Sequence, residues 1–204
     1  MRKFLIAGWL LLPVGAWAYH EGPGQDRIQL DAVDGELAKA KKAAAAGDWL
    51  AAAEIYEAAL KEMPATETPE LERAATRLKL SAAKAKLEGS KLIDARKELI
   101  GLIDEMDEKG STDPADVALA DEAREAYANA QYYYTWLMRL EAYPREEWEP
   151  EIEISRQQFR LLAERAEAAG DMDRAEKLKE DLESSLKLAR LDLEELQGLP
   201  LPSQ

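Results

Sequence analysis

The chain has 204 residues, of which 41 are acidic and 27 are basic, and its formal net charge is −14 at pH 7. A negative surface of this size repels phosphate backbones, which disfavours general nucleic-acid binding. The sequence contains no cysteine, which excludes disulfides, zinc sites built on thiolates and cysteine nucleophiles.

The first 18 residues have the pattern of a cleaved secretory signal peptide. A short basic start precedes the apolar run of residues 4–14, and Ala16 and Ala18 place small residues at the two positions that a signal peptidase reads. The run is shorter than the roughly 20 residues of a bilayer span. We therefore expect a mature chain that begins at Tyr19, has no membrane span and is periplasmic or extracellular. The alternative is an uncleaved N-terminal anchor.

The remaining chain is predicted to be all-α. Residues 19–30 include YHEGPGQ, with two glycines and a proline, and are predicted to form a flexible leader. In residues 31–197 the helix formers Ala, Leu, Glu, Lys and Arg dominate, and Gly and Pro separate about seven helices. The predicted helices span residues 31–46, 48–63, 68–88, 91–109, 114–142, 150–170 and 171–197. Short linkers predict antiparallel hairpins, and residues 198–204 are predicted to be a disordered tail.

Several stretches repeat one local organisation, in which a helix, a glycine turn and a second helix beginning with alanine follow one another. Residues 43–64 (AAAAGDWLAAAEIYEAALKEMP) and 163–182 (AERAEAAGDMDRAEKLKEDL) share it. In the middle stretch, residues 85–103, the spacing from the turn glycine (Gly89) to the alanine (Ala95) is one residue longer than in the other two stretches. Glycine permits the turn because it has no Cβ, and alanine lets two helix axes approach closely.

This pattern resembles the tetratricopeptide repeat. The residues that carry the resemblance are Gly47, Asp48, Trp49, Ala52, Tyr56, Ala59 and Pro64 in the first unit, and Ala163, Gly170 and Ala175 in the last hairpin. The chain departs from the family at Glu36 and Lys179, where aromatic residues are usual, and its spacing exceeds the family period of about 34 residues. The resemblance implies a right-handed α-solenoid of antiparallel hairpins, with a groove that binds a partner peptide or helix.

The fifth predicted helix and the turn after it concentrate the aromatic residues, in NAQYYYTWLMRLEAYPREEW (residues 129–148). A helical projection makes two sides apolar and leaves a narrow polar sector of Arg124, Gln131, Thr135 and Arg139. A helix that is apolar on two sides packs between neighbours, so one interpretation makes the rings a core.

The other interpretation is a groove for a partner, because Trp, Tyr and Arg are enriched at interfaces. Its predicted lining is Tyr132, Trp136, Tyr143 and Trp148, with Arg139 and Arg145 nearby. The two interpretations are compatible. We expect Trp136 in the core and Tyr143 and Trp148 partly exposed.

Three lysines add a second candidate for partner binding. The resemblance implies that Lys41, Lys79 and Lys86 face the concave groove, where basic residues hold a partner's carboxylates. The alternative is that they are ordinary surface lysines. The predicted partner-binding residues are therefore Lys41, Lys79, Lys86, Arg139, Tyr143 and Trp148.

No catalytic, cofactor-binding or metal-binding residue is predicted. The single histidine, His20, lies in the leader, and the sequence has no glycine-rich phosphate loop and no serine beside a histidine base. Acidic pairs on amphipathic helices are typical of solvated faces. We expect a non-catalytic, exported interaction or scaffold module that binds a protein or peptide. The alternatives are a self-associating structural or assembly component of the cell envelope and, third, a helical-array enzyme.

Overall fold

A computed structural model describes residues 23–63, 68–192 and 195. These residues contain seven α-helices and no strand, which confirms the predicted fold class and helix number. The helices are α1 (Pro23–Ala45), α2 (Trp49–Glu62), α3 (Pro69–Glu88), α4 (Leu92–Lys109), α5 (Pro114–Leu140), α6 (Arg145–Ala169) and α7 (Met172–Arg190). Over the described residues, no helix combines the length and the apolar character needed to cross a membrane.

Helices α1 and α6 begin earlier than predicted, and a proline is involved in each difference. Helix α1 begins at Pro23, so the part of the predicted leader from residue 23 to residue 30 is helical. Proline suits a first helical position because its fixed φ is helical. The N–H that it lacks would have no intrahelical partner at that position. Helix α6 begins at Arg145 and continues through Pro150, which was predicted to open it. Proline there removes one hydrogen bond, to the carbonyl of the exposed Glu146.

Some predicted features lie outside the described residues, and the last helix is shorter than predicted. The signal peptide (1–18), the tail (198–204) and Pro64 lie outside the part of the chain that the structure describes. The last helix ends at Arg190, where Leu191 becomes extended, and not near residue 197. The chain divides into two compact units, residues 1–82 and 83–204, with the boundary inside α3.

In the first unit, α1 and α2 pack against each other through small residues. Ala40 and Ala52 have no exposed surface, and Ala59 and Tyr56 are also buried. Since alanine side chains let the two axes approach closely, a larger residue at position 52 would have no room. The burial expected for Ala52 and Ala59 is confirmed.

In the second unit, consecutive helices from α4 to α7 pack on one another. Phe159, Leu162 and Leu178 belong to one buried cluster, and Tyr132 and Ile152 belong to another. Between α5, α6 and α7 the packing is close enough for small polar groups to meet. The Ser155 hydroxyl donates to the Ala128 carbonyl (2.9 Å) and lies 3.2 Å from the Ser185 hydroxyl.

Three turns share one backbone conformation, and this explains the extra residue of the middle stretch. Their left-handed residues are Gly47 (φ 82°), Ser90 (φ 62°) and Gly170 (φ 80°); among the described residues, Gly110 and Ala142 are also left-handed (φ 58° each). The middle turn is therefore centred on Ser90, and the prediction that Gly89 centres it is wrong. Counted from Ser90, Ala95 has the same spacing as the buried alanines that follow Gly47 and Gly170, and it too is fully buried.

The residues after these turns close them in the same way. The N–H of Asp48 donates to the Ala43 carbonyl (3.0 Å), and the N–H of Asp171 donates to that of Ala166 (2.9 Å). Both aspartates also accept a hydrogen bond from the first turn of the next helix. Lys91 makes the same backbone bond in the middle turn (2.8 Å) without a side-chain cap. A turn of this kind followed by a buried alanine is thus present three times, and the turn at Ala142 has the same backbone bond without such an alanine.

Candidate functional site

A groove of about 420 Å³ runs beside α5 in the second unit. The last turn of α3, the turn that follows it and one face of α5 form its walls. The side chains that line it are Lys84, Leu87, Glu88, Ser90, Leu92, Glu122, Glu125, Ala126, Asn129, Tyr133, Trp136 and Leu137. The opposite side of α5 packs on α6, so one helix serves as core on one face and as groove wall on the other.

The stripe that α5 presents to this groove changes character along the helix. Its members recur at three- and four-residue intervals, which places them on one face. Glu122, Glu125 and Asn129 make the first half polar, and Tyr133 and Trp136 make the second half aromatic. Leu137 continues the aromatic half and is 41 % exposed. Tyr133, Trp136 and Leu137 thus form an apolar floor toward the end of α5, and the face toward the start of α5 is polar.

A second groove, of about 510 Å³, adjoins the first. The two share Ser90, Leu92 and Leu137, so the turn between α3 and α4 borders both. Tyr143 lines the second groove and is 43 % exposed, as expected, and Ile93 there is 59 % exposed. The Tyr143 N–H donates to the Met138 carbonyl (2.9 Å), which holds its backbone against the end of α5. Exposed apolar groups that adjoin one another are typical of interaction surfaces.

The border of the two grooves carries an excess of negative charge. Lys84 pairs with Glu122 (2.9 Å), and Glu125 pairs with Arg174 of α7 (3.0 Å). Of the other acidic lining residues, Glu88, Asp94 and Glu141 form no ion pair with any described residue. Lys91 is the lining base that likewise has none. Three unpaired carboxylates against one ammonium leave the border acidic.

Partly buried polar contacts fix the orientation of α5 between α4 and α6. Arg96 donates to the Gln131 side-chain oxygen and to Glu151 (2.8 Å), and Gln131 also donates to Glu151 (2.8 Å). The Arg96 guanidinium lies 3.6 Å from the centre of the Tyr134 ring. Charge-assisted hydrogen bonds with a stacked guanidinium are strong and directional. This cluster of Arg96, Gln131, Glu151 and Tyr134 therefore limits rotation of the groove wall.

The polar sector predicted for this helix is buried. Arg124, Gln131, Thr135 and Arg139 are all buried, with side chains directed into the packed side of α5. The Thr135 hydroxyl donates to the Gln131 carbonyl (2.9 Å), and Arg124 pairs with Asp107 of α4. A narrow polar stripe can be internal when most of its groups find partners inside the packed helices, although Nε and Nη1 of Arg124 have none among the described residues.

Arg139 and Trp148, predicted to bind a partner, form an internal contact. Arg139 is 8 % exposed and donates to the carbonyls of Leu188 and Leu191 (2.5 Å for the second), at the end of α7. Its guanidinium lies 4.7 Å from the centre of the Trp148 ring, which is also 8 % exposed. Burial lowers the pKa of Arg139. Both side chains are thus removed from the predicted partner-binding set, and the expected partial exposure of Trp148 is wrong.

Tyr132 and Trp136 also differ from expectation. Tyr132 is fully buried and its ring meets that of Tyr133 edge-on, with centroids 5.9 Å apart. Tyr133 and not Tyr132 lines the groove. Trp136, expected in the core, is only partly buried and lines the same groove. Leu87, Leu92 and Leu137 also line the groove and were not predicted to do so, although the three- and four-residue spacing from Glu122 to Leu137 is typical of a face that is half solvated.

The three candidate lysines do not line either groove. Lys41 is exposed on α1 and Lys79 is half-buried on α3, both in the first unit. Lys86 belongs to the second unit and pairs with Glu98 of α4, with 17 % of its side chain exposed. This ion pair occupies the Lys86 ammonium within the chain. No group of three or more His, Cys, Asp or Glu side chains that could hold a metal ion occurs among the described residues.

Comparison with known proteins returns no relative. No protein-family model, no curated protein and no solved structure matches the chain.

Proposed function

We propose that the protein is a non-catalytic binding module that holds a segment of a partner protein in the groove beside α5. The observation that carries the proposal is the row Tyr133, Trp136 and Leu137, which is partly exposed on a helix whose other face is core. Trp and Tyr in a concave, partly desolvated site are the residues that dominate binding energy at protein interfaces.

The length of the site favours a chain segment as the occupant. Lining residues extend along α5 from Glu122 to Met138, which is about 24 Å at 1.5 Å per residue. That length accommodates about 16 helical residues of a partner. Apolar side chains of such a segment at helical spacing would contact the aromatic half of the stripe, as helix-in-groove recognition requires.

The wider setting that we propose is a short, tetratricopeptide-like solenoid that is exported from the cytoplasm. Three turns with one backbone conformation, each followed by a buried alanine, support the repeat organisation. The basic start, apolar run and Ala-x-Ala site of residues 1–18 support export. Both features are consistent with a scaffold that positions a partner in the periplasm or outside the cell.

Selection of binding peptides from a random library tests the groove. Leu137→Glu places a charge at the point shared by both grooves. We expect it to lower the affinity for the selected peptides by at least about tenfold, because a charge in an apolar contact is costly. Met172→Glu is the matched control, since Met172 is an exposed apolar residue outside both grooves. Bound peptide should also shield Trp136 from acrylamide, a signal that Trp136→Phe removes.

Two results would contradict the proposal. One is a set of selected peptides that bind wild type, Leu137→Glu and Met172→Glu equally well. The other is concentration-dependent sedimentation of the protein alone that Leu137→Glu abolishes, which would assign the surface to self-association.

A further inference from the structure

We propose that the occupant of this groove is a basic amphipathic helix, with apolar residues on one face and Lys or Arg on both sides of that face. The inference rests on the proposed function and adds the chemistry of the partner. It follows from the charges on the border and their position relative to the apolar floor.

The unpaired acids line the two grooves that share Leu137 of the apolar floor. Glu88 is at the end of α3, Asp94 at the start of α4 and Glu141 just after α5, and all three are exposed. A helix that covers Trp136 and Leu137 would bring its flanking residues to these carboxylates. Basic side chains would gain complementary charge there, whereas acidic ones would be repelled.

The aromatic half of the stripe favours the same partner. Lys and Arg side chains have apolar stems that can cover Trp136 and Tyr133, and their cationic ends are attracted to ring faces. The second unit itself contains this contact at Arg96 over Tyr134 and at Trp148, whose ring lies near both Arg139 and Arg145.

The overall charge argues against a second copy of this chain as the occupant. Two copies with a formal net charge of −14 each repel one another at low ionic strength. The same field raises the local concentration of a basic segment and accelerates its association. Self-association is therefore not expected, and concentration-dependent sedimentation that Leu137→Glu abolishes would contradict this.

Three labelled synthetic peptides test the inference on the full chain. The basic probe has 16 residues, Leu at helical spacing and Lys on both sides of the Leu face. In the acidic probe Glu replaces every Lys, and in the polar probe Ser replaces every Leu. We expect only the basic probe to bind, with an affinity that falls about tenfold or more when salt rises from about 50 to 300 mM, because screening acts on exposed charges.

A pair of charge reversals locates the effect. The double variant Glu88→Lys with Glu141→Lys should bind the basic probe with an affinity about tenfold lower. Glu176→Lys with Glu180→Lys, on the exposed side of α7 and outside both grooves, makes the same change in net charge and should weaken it by about twofold or less. Equal weakening by the two pairs would show a general field effect and overturn the inference.

The outcomes distinguish a wrong assignment of the partner's charge from a wrong assignment of the groove as the binding site. If the acidic probe binds as well as the basic one and Leu137→Glu abolishes both, the groove binds a segment but the assigned charge is wrong. If the basic probe does not bind, the inference fails, whatever the peptide selection shows. If Leu137→Glu leaves binding of the basic probe unchanged and Trp136 emission does not respond, the groove is not the site and the proposed function fails with it.

Discussion

Replacing Tyr132 by phenylalanine should stabilise the protein. The Tyr132 side chain is fully buried, and its hydroxyl has no hydrogen-bond partner among the described residues. Burying a hydroxyl without a partner costs about 1–3 kcal/mol, whereas the ring and its edge-on contact with Tyr133 remain in the variant. We therefore expect Tyr132→Phe to raise the free energy of unfolding by about 1–2 kcal/mol at pH 7.

Urea unfolding followed by circular dichroism measures this difference. Tyr143→Phe is the matched control, because it removes the same hydroxyl from an exposed position and should change stability by less than about 0.5 kcal/mol. A loss of 1 kcal/mol or more in Tyr132→Phe, at an unchanged urea slope, would refute the argument. It would show that the hydroxyl makes a favourable contact in solution.

The same substitution should also change the response to alkali. Burial raises the pKa of Tyr132 to about 12 from its ordinary value of 10.0. Below pH 10 the phenol is neutral in both the folded and the unfolded state, so its contribution is constant. Between pH 10 and 12 the unfolded state loses the proton first, and stability falls as pH rises. We expect the advantage of Tyr132→Phe over wild type to grow across this interval, measured as urea midpoints at pH 9, 10 and 11.

Three further substitutions test the turns and the packing, each by thermal or urea unfolding. Ala52→Leu should lower stability by about 1–3 kcal/mol because the site between α1 and α2 has no free space, and an unchanged melting temperature would contradict that packing. Ser90→Gly should raise stability by about 1 kcal/mol, since glycine relieves the left-handed conformation at φ 62°; a loss would show that the serine side chain stabilises the turn. Arg139→Met should cost about 2–3 kcal/mol, because the carbonyls of Leu188 and Leu191 lose a charged donor, and faster amide exchange confined to the end of α7 should accompany it. A neutral effect would contradict its role as a cap.

Local rules predicted most of the helix boundaries, and their failures have local causes too. Pro114 after Asp113 opened α5 as expected, and the Asp113 side chain accepts from Ala115 (2.8 Å). Pro150 misled the prediction because proline is also tolerated near a helix start when the carbonyl that it leaves unpaired is exposed. Gly89 misled it because glycine is not required at a left-handed position when a turn is otherwise well closed, as at Ser90.

The sequence indicated a binding surface on the fifth helix but not which of its side chains line the groove. The concentration of rings on the fifth helix indicated both core and binding surface, and Tyr143 and Trp136 do line the grooves. Which neighbouring ring is buried was not predictable, since Tyr132 and Tyr133 are adjacent and chemically identical. The charge of the border was also missed, because it arises where the ends of three helices meet and not from any continuous run of acidic residues.

By itself the amino-acid sequence determined the all-α class, the seven helices and the alanines that follow three of the turns. Helix propensity, proline and glycine act within a few residues, so they can be read from one segment at a time. Only the tertiary structure decided which faces of α5 are core and which are groove. Arg139 shows the reason, since its hydrogen-bond partner Leu188 is 49 residues away along the chain. A polar side chain on a helix is external or internal according to the neighbour that packs on it, and helical periodicity alone does not identify that neighbour.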